Sequence, residues 1–501
     1  MPTTLETVHE KAKSYDWPFS VGDQRPKFPS KYIIPPKGKD PFRMLVRDYL
    51  KMEAEKDDRT HGFLDAAVRL RTANRADSRF MEVMKLTLPD FTIAEFEAVA
   101  AAGMLISSVQ NQEIRLGYQA QMMDEIRHTQ LEMALRNFYV KHWEDPAGYD
   151  IGQKALYELP AGLIGVSAFT HFNTGDPIDC IIHLNVVLET AYTNILVVAT
   201  PQVAVANGED ALASTFLSIQ SDEARHMANG YGSLMAVLGE ERNIPLINDA
   251  LERFFWTNHR QLDALVGHQV EYGATVRPWA YRDQWDEWVG DDFISSYMER
   301  LTPFGVQVPQ RVAKVADDVT WLHHTTGMAL AAIWPFNWWR SPVMGPKDFE
   351  WFEAHYPGWH ELYGKFWEAQ AQMAEPDSGR IMMQELPSLP PLCQVCQLPC
   401  LMPRPDKPET RIFDYEGQRI AVCSEGCEWV FKKWPTAYAG RKQFWSLFDG
   451  WDLADVILDL GLVREDGKTL VGQPSIDLKH MWTVDDIRRL HYEVKDPLRS
   501  A

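Results

Sequence analysis

Asp124-Glu125-Ile126-Arg127-His128 and Asp222-Glu223-Ala224-Arg225-His226 carry one D-E-x-R-H frame twice, each inside a long helical stretch. On a helix, residues three apart share a face. Glu125 with His128, and Glu223 with His226, can therefore each aim one carboxylate and one imidazole inward. A lone E-x-x-H means little, because with fifteen histidines in the chain about one arises by chance. The return of the whole frame is what carries weight.

Bundles that hold two metal ions on carboxylates need one further Glu from each of two other helices, at the same depth. Pairing Glu95 with Glu125 in an antiparallel hairpin puts the turn near Gln110, in the polar break Val109-Gln110-Asn111-Gln112. Glu189 and Glu223 have their midpoint at Ala206, beside the turn signal Asn207-Gly208. Each arm is then about 15 to 17 residues, or roughly 22–26 Å at about 1.5 Å per residue. Four carboxylates (Glu95, Glu125, Glu189, Glu223) match the charge of two divalent ions, and His128 and His226 complete six ligands. Such oxygen-rich, thiolate-free sets suit iron or manganese. Asp124 and Asp222, four residues before the histidines, are placed to accept the remaining imidazole N–H, within their own helix or across the pair, with Arg127 and Arg225 beside them. A metal-free polar network is the plainer alternative, but so many unpaired buried carboxylates would be costly.

Outward from this core, 501 residues are too many for one ordinary domain. The expected division is an N-terminal extension with helices (1–90), a four-helix core (91–240), further helices packed on it (241–385), a cysteine module (386–440), and C-terminal helices with a hairpin near Glu465-Asp466-Gly467 (441–501). The helix-breaking LPSLPP at 386–391 marks one boundary. Five of the six cysteines cluster after it. Cys393-x-x-Cys396 and Cys423-x-x-x-Cys427, separated by a strand–turn–strand pattern, read as a closed four-thiolate zinc site with a structural role. Helical sequence resumes at Glu428. Cys400 is spare, and Cys180 reads as a small buried hydrophobe. Eighteen tryptophans suggest thick aromatic packing.

A net charge of −20 argues against nucleic acid as a partner. The most apolar stretch, 181–200, is interrupted by His183, Asn185, Glu189 and Asn194, so no membrane span is expected. The N-terminal sequence lacks a secretory pattern, which points to the cytoplasm. No G-x-G-x-x-G or P-loop occurs, so flavin and nicotinamide must be bound by another chain.

The ligand set resembles that of bacterial multicomponent diiron monooxygenases. AAGML at 101–105, DEIRHT at 124–129, FLSIQSDEARHMANGY at 216–231, WFEAHYPGW at 351–359 and DGKTLVGQP at 466–474 are similar to the large (alpha) hydroxylase subunit of soluble methane monooxygenase. The resemblance implies a mainly α, ferritin-like fold and O2 activation at two iron ions. It implies as partners a second hydroxylase (beta) subunit, a small coupling (effector) protein, and an NADH-dependent flavin and iron–sulfur reductase. The cysteine cluster resembles toluene- and phenol-oxidising relatives instead, and this mixture points to the alkene monooxygenase (epoxygenase) branch acting on short alkenes. Hydroxylation of alkanes or aromatics is the alternative.

By the same resemblance, Thr193 matches an active-site threonine involved in proton handling, with Asn194 beside it. A plain helix hydroxyl bonded to the Glu189 carbonyl is the other reading of Thr193. Glu132 stands where relatives carry Cys or Gln. It could donate a proton, or turn aside to solvent. The implied hydrocarbon cavity is lined by Phe91, Ala168, Phe172, Leu196, Val197 and Ile219. Iron storage is a different class of function, for which the chain is too elaborate. A radical-generating subunit would carry a tyrosine shortly after the first His ligand, where Glu132 stands.

Overall fold

The computed structural model describes residues 30–36, 46–109, 111–172, 175–333, 336–372, 390–400, 404, 406, 407, 409–441, 443–470 and 482–499. The architecture is mainly helical, as expected. Helix α1 (Val46–Leu70) is followed by a hairpin of two long helices, α2 (Ser78–Ser108) and α3 (Gln112–His142), and packs on the second of them. Asp77 starts α2 by accepting from Phe80 N at 3.1 Å, and Asn111 starts α3 by accepting from the N–H groups of Glu113 and Ile114, both at 3.1 Å. The turn between them falls at the position the spacing predicts, although Gln110 itself lies outside the described residues. The expected boundary at 90/91 falls inside α2, so the first bundle arm begins at Ser78.

The second hairpin pairs a compound helix, α4, with α5 (Asp210–Leu238). α4 runs through Pro177–Ile181, Ile182–Tyr192, Ile195–Ala199 and Thr200–Ala206. Its two middle segments have wide π-helical turns, and the run bends by 40° at Thr193–Asn194. Such widened turns gather at functional sites. Asn207 and Gly208 make the predicted turn, with Gly208 at φ +80°, and Glu209 caps α5 through the N–H groups of Ala211 and Leu212, both at 3.2 Å. The hairpins interlock closely: a Cβ on Gly117 of α3 would collide with the Asn229 side chain of α5, and within the second hairpin one on Gly230 would collide with Asn185.

By length and composition alone α2 could cross a membrane, a helix the sequence reading did not single out. Its apolarity has a local cause, because it packs against both α3 and the helix Pro160–Phe169 in the bundle. Around the bundle lie further helices, including α6 (Ile244–Asn258). One contiguous apolar core reaches from Tyr32 to Val494, and a second, aromatic cluster gathers Tyr272, Phe352, Trp359 and Trp367.

In the cysteine module, β1 (Arg411–Tyr415) pairs antiparallel with β2 (Gln418–Val422), Tyr415 facing Gln418. Glu416 and Gly417 form the turn with φ of 47° and 80°, as a two-residue hairpin requires. The following helix, α7, spans Glu425–Lys433 and so starts three residues before the expected Glu428. Val463 and Thr469 pair across the expected C-terminal hairpin. Most of the LPSLPP boundary, 386–389, lies outside the described residues.

Candidate metal centre

All four core helices deliver their predicted residues to one point. His128 Nδ1 lies 3.4 Å from Glu95 Oε2, 3.3 Å from Glu125 Oε2 and 3.4 Å from Glu223 Oε1. His226 Nδ1 lies 3.5 Å from Glu125 Oε1, 3.4 Å from Glu189 Oε1 and 3.4 Å from Glu223 Oε2. Glu125 and Glu223 thus offer one oxygen to each half, while Glu95 serves only the His128 half and Glu189 only the His226 half. The arrangement is two ligand sets sharing two carboxylates.

The far imidazole nitrogens settle the choice between the aspartates' two options. His128 Nε2 meets Asp222 Oδ2 at 3.1 Å, and His226 Nε2 meets Asp124 Oδ2 at 3.2 Å, so each bond crosses between α3 and α5. With Nε2 engaged there, Nδ1 of both rings is left without a hydrogen-bond partner, buried and facing the carboxylates. That orphaned pair fits metal ligation, in which a carboxylate behind the imidazole fixes ring orientation and tautomer.

Electrostatics point the same way. Burial alone would strip protons from both histidines, yet the facing carboxylates, Glu95 for His128 and Glu125 for His226, hold both well above the usual imidazole range. Burial pushes Glu189 up to about 7. Four carboxylates meet at this point, and two divalent cations would balance their charge.

Several partners went unread in the sequence. Gln121 donates to Glu125 at 3.0 Å and to Glu189 at 2.9 Å, and Asn185 donates to Glu189 at 2.6 Å. Both sit four residues before a ligand, a spacing that could have flagged them. From α1, Tyr49 donates to Asp124 at 2.6 Å, Lys56 pairs with Asp222, and Glu53 accepts from Arg225 at 3.0 Å. Arg127 reaches Asp222 at 2.6 Å and Arg225 reaches Asp124 at 2.7 Å, so both arginines lie beside the aspartates. α1 is separate in sequence, and no motif announced it.

A family model described as methane/phenol/alkene hydroxylase matches residues 17–241. The large subunit of the propane 2-monooxygenase hydroxylase component from Gordonia sp. (strain TY-5) is 38% identical over 98% of this chain and 93% of its own. This chain belongs to the methane/phenol/alkene hydroxylase alpha-subunit family. The methane monooxygenase component A alpha chain of Methylococcus capsulatus is 33% identical over 100% of this chain and 96% of its own. The alpha subunit of the alkene monooxygenase oxygenase component from Xanthobacter autotrophicus is 23% identical over 90% and 91%. Crystalline phenol hydroxylase from Pseudomonas sp. OX1 has the same fold, with a TM-score of 0.83 over 96% of this chain and 99% of that one at 23% identity.

In this hydroxylase subunit a cavity of about 70 Å³ abuts the carboxylates. A single water needs roughly 10–15 Å³ on the same measure, so the space suits a molecule of a few heavy atoms. Phe91, Phe172, Leu196, Val197 and Ile219 line it as the sequence implied. Ala168 does not: its neighbour Phe169 does, because successive residues on a helix diverge by about 100° and only one of them faces inward. Thr193 lines the cavity, and among the described residues its hydroxyl makes no bond to the Glu189 carbonyl. Asn194 is not on the wall. Glu132 is on the wall rather than turned aside to solvent, and burial pushes its carboxyl up to about 8.

The thiols of Cys393, Cys396, Cys423 and Cys427 all lie within 4.8 Å of one another and are buried. Cys396 Sγ is 3.5 Å from Cys423 Sγ, and Cys423 Sγ is 3.7 Å from that of Cys427. Arg260 donates to Cys423 Sγ at 3.4 Å, and Ser424 caps the helix that carries Cys427. Four buried thiols gathered around one point fit a closed tetrahedral site. Cys400 is buried nearby as the spare, and Cys180 is buried in the main core.

Proposed function

We propose that this chain is the oxygenase-component large subunit of an alkane-oxidising diiron monooxygenase. Glu95, Glu125, His128, Glu189, Glu223 and His226 would hold two iron ions, and Cys393, Cys396, Cys423 and Cys427 one structural zinc. The observation that carries the alkane reading is the 38% identity, along nearly the whole chain, to a propane 2-monooxygenase subunit. The alkene branch expected from the sequence has weaker support, since the alkene monooxygenase relative is 23% identical. It stays as a second reading because the cavity wall is apolar around the same carboxylates.

The irons, when bound, supply reductive activation of O2 and transfer of one oxygen atom to carbon. The protein's residues do the rest. Glu125 and Glu223 tie the two halves together, and Asp124 and Asp222 hold the imidazoles in register from the opposite helix. Gln121 and Asn185 fix Glu189. Phe91, Phe172, Leu196, Val197 and Ile219 exclude water and hold a small hydrocarbon by shape, and the Thr193 hydroxyl is free to relay a proton at the cavity wall. Electrons come from an NADH-dependent flavin and iron–sulfur reductase, with a beta subunit and a small effector completing the system.

The test is product analysis of the reconstituted complex offered propane, methane, propene and toluene side by side. Propane-dependent NADH oxidation with propanol as product supports the proposal. Propene epoxide without any alkane product would return the reading to the alkene branch.

A further inference from the structure

Among the described residues, apart from Thr193 and the four clustered glutamates, one polar side chain stands on the cavity wall, Glu132. It lies one helical turn after His128 on α3 and is 2% exposed. Its Oε2 is buried with no hydrogen-bond partner among the described residues. The two polar neighbours that act on the carboxyl, Thr92 and Arg136, also bond elsewhere. Thr92 Oγ1 donates to the Leu88 carbonyl at 2.7 Å, and Arg136 Nε donates to the Tyr149 carbonyl at 3.0 Å. The same cavity wall includes Phe91, Phe172, Leu196 and Val197.

A hydrocarbon filling this space would strip water from the carboxyl and give it nothing in return. A polar group left unpaired in a closed site favours molecules that carry the matching group. Pockets of this kind use a few placed polar atoms to fix orientation and the apolar wall to supply affinity. A hydroxyl both donates and accepts, so it pairs with a carboxyl in either protonation state.

We infer that Glu132 is a specificity-determining residue that receives the hydroxyl of a short alcohol, so that the cavity takes hydroxyl-bearing substrates in addition to bare hydrocarbons. This rests on the monooxygenase reading above. Anchored by its hydroxyl one turn from His128, the alcohol presents its far carbons to the carboxylate cluster. One C–H bond breaks there and a C–OH bond forms with one atom of O2. The other atom leaves as water, taking two electrons from the reductase and two protons. The product is a diol.

The experiment compares 1-propanol, propane and 1-chloropropane, a near-isostere without the hydroxyl, in the reconstituted complex. Glu132→Gln and Glu132→Leu are run alongside. The parent protein should favour 1-propanol over 1-chloropropane at least tenfold in kcat/KM and form propanediol. Glu132→Leu should lower the propanol-to-propane ratio of kcat/KM at least tenfold, mainly through KM, and Glu132→Gln should hold that ratio within threefold. The 1-propanol Kd of the purified hydroxylase, read by NMR saturation transfer, should weaken in parallel. An unmoved ratio in Glu132→Leu, or equal losses in Gln and Leu, overturns the inference. So does a parent protein indifferent between 1-propanol and 1-chloropropane, which decides the matter even if Glu132→Leu fails to fold. A parent complex that turns over no hydrocarbon sinks the functional reading instead, and the propanol Kd of the variants still judges Glu132.

Discussion

Replacing Asp222 by Asn should weaken iron binding and stability together, though Asp222 is no ligand. The residue is fully buried. Its Oδ2 takes bonds from His128 Nε2 at 3.1 Å and Arg127 at 2.6 Å, and its Oδ1 takes bonds from Arg225 at 2.7 Å and from Lys56. An amide of the same shape removes the negative charge these cations share and turns an N–H toward one of them. Breaking a buried pair in this way costs about 3–5 kcal/mol. Loss of the partner behind a ligating histidine costs about 10–100-fold in metal affinity, or about 1.4–2.8 kcal/mol at about 1.4 per decade. Asp57→Asn is the control: Asp57 also bonds Arg127, at 2.7 Å, but its side chain is 39% exposed, and such pairs are worth about 0–1 kcal/mol. Anaerobic Fe(II) titration against a chelator, with thermal melts, should separate the two variants. Two irons bound by Asp222→Asn within threefold of the parent affinity, at an unchanged Tm, would refute the reasoning. Burial alone would raise the Asp222 carboxyl, but the bond to His128 and the charges of Arg225 and Lys56 hold it well below the usual range. Its stabilisation is therefore present above the unfolded pKa, near ~3.9, and is lost as pH falls below that. The Tm gap between parent and variant should close in acid.

Glu125→Ala, which removes an oxygen from both halves, should abolish binding of both irons, whereas Glu95→Ala should spare the His226 half; elemental analysis and iron titration read the difference. Cys423→Ser should lose one zinc per chain and lower the Tm, because closed thiolate sites contribute folding free energy directly; purified parent protein with iron but no zinc would defeat the assignment. Burial raises the Glu132 carboxyl to about 8, above its unfolded value. The parent protein should therefore lose stability as pH rises from about 4.3 toward about 8, while Glu132→Gln does not. The Tm advantage of Glu132→Gln should grow from pH 5 to pH 8, and a pH-independent difference would count against the buried placement.

The six candidate ligands were legible in the sequence because a helix converts spacing into direction. A frame repeated at 124–128 and 222–226, with Glu95 and Glu189 one hairpin away, leaves few other geometries. The cysteine pattern was legible for a similar reason, since a tight Glu416-Gly417 hairpin allows its flanking thiols only one meeting point. Tertiary structure alone decided the crossing of Asp222 to His128 and of Asp124 to His226, because either aspartate could have served its own helix. It alone brought α1, with Tyr49, Glu53 and Lys56, over the aspartates, since ion pairs between distant segments leave no period in the chain. It set Phe169 rather than Ala168 on the cavity wall, because rotation about a helix axis is settled by packing. It also held Glu132 buried on the cavity wall instead of letting it reach water, because the side of a helix that faces inward is settled by packing.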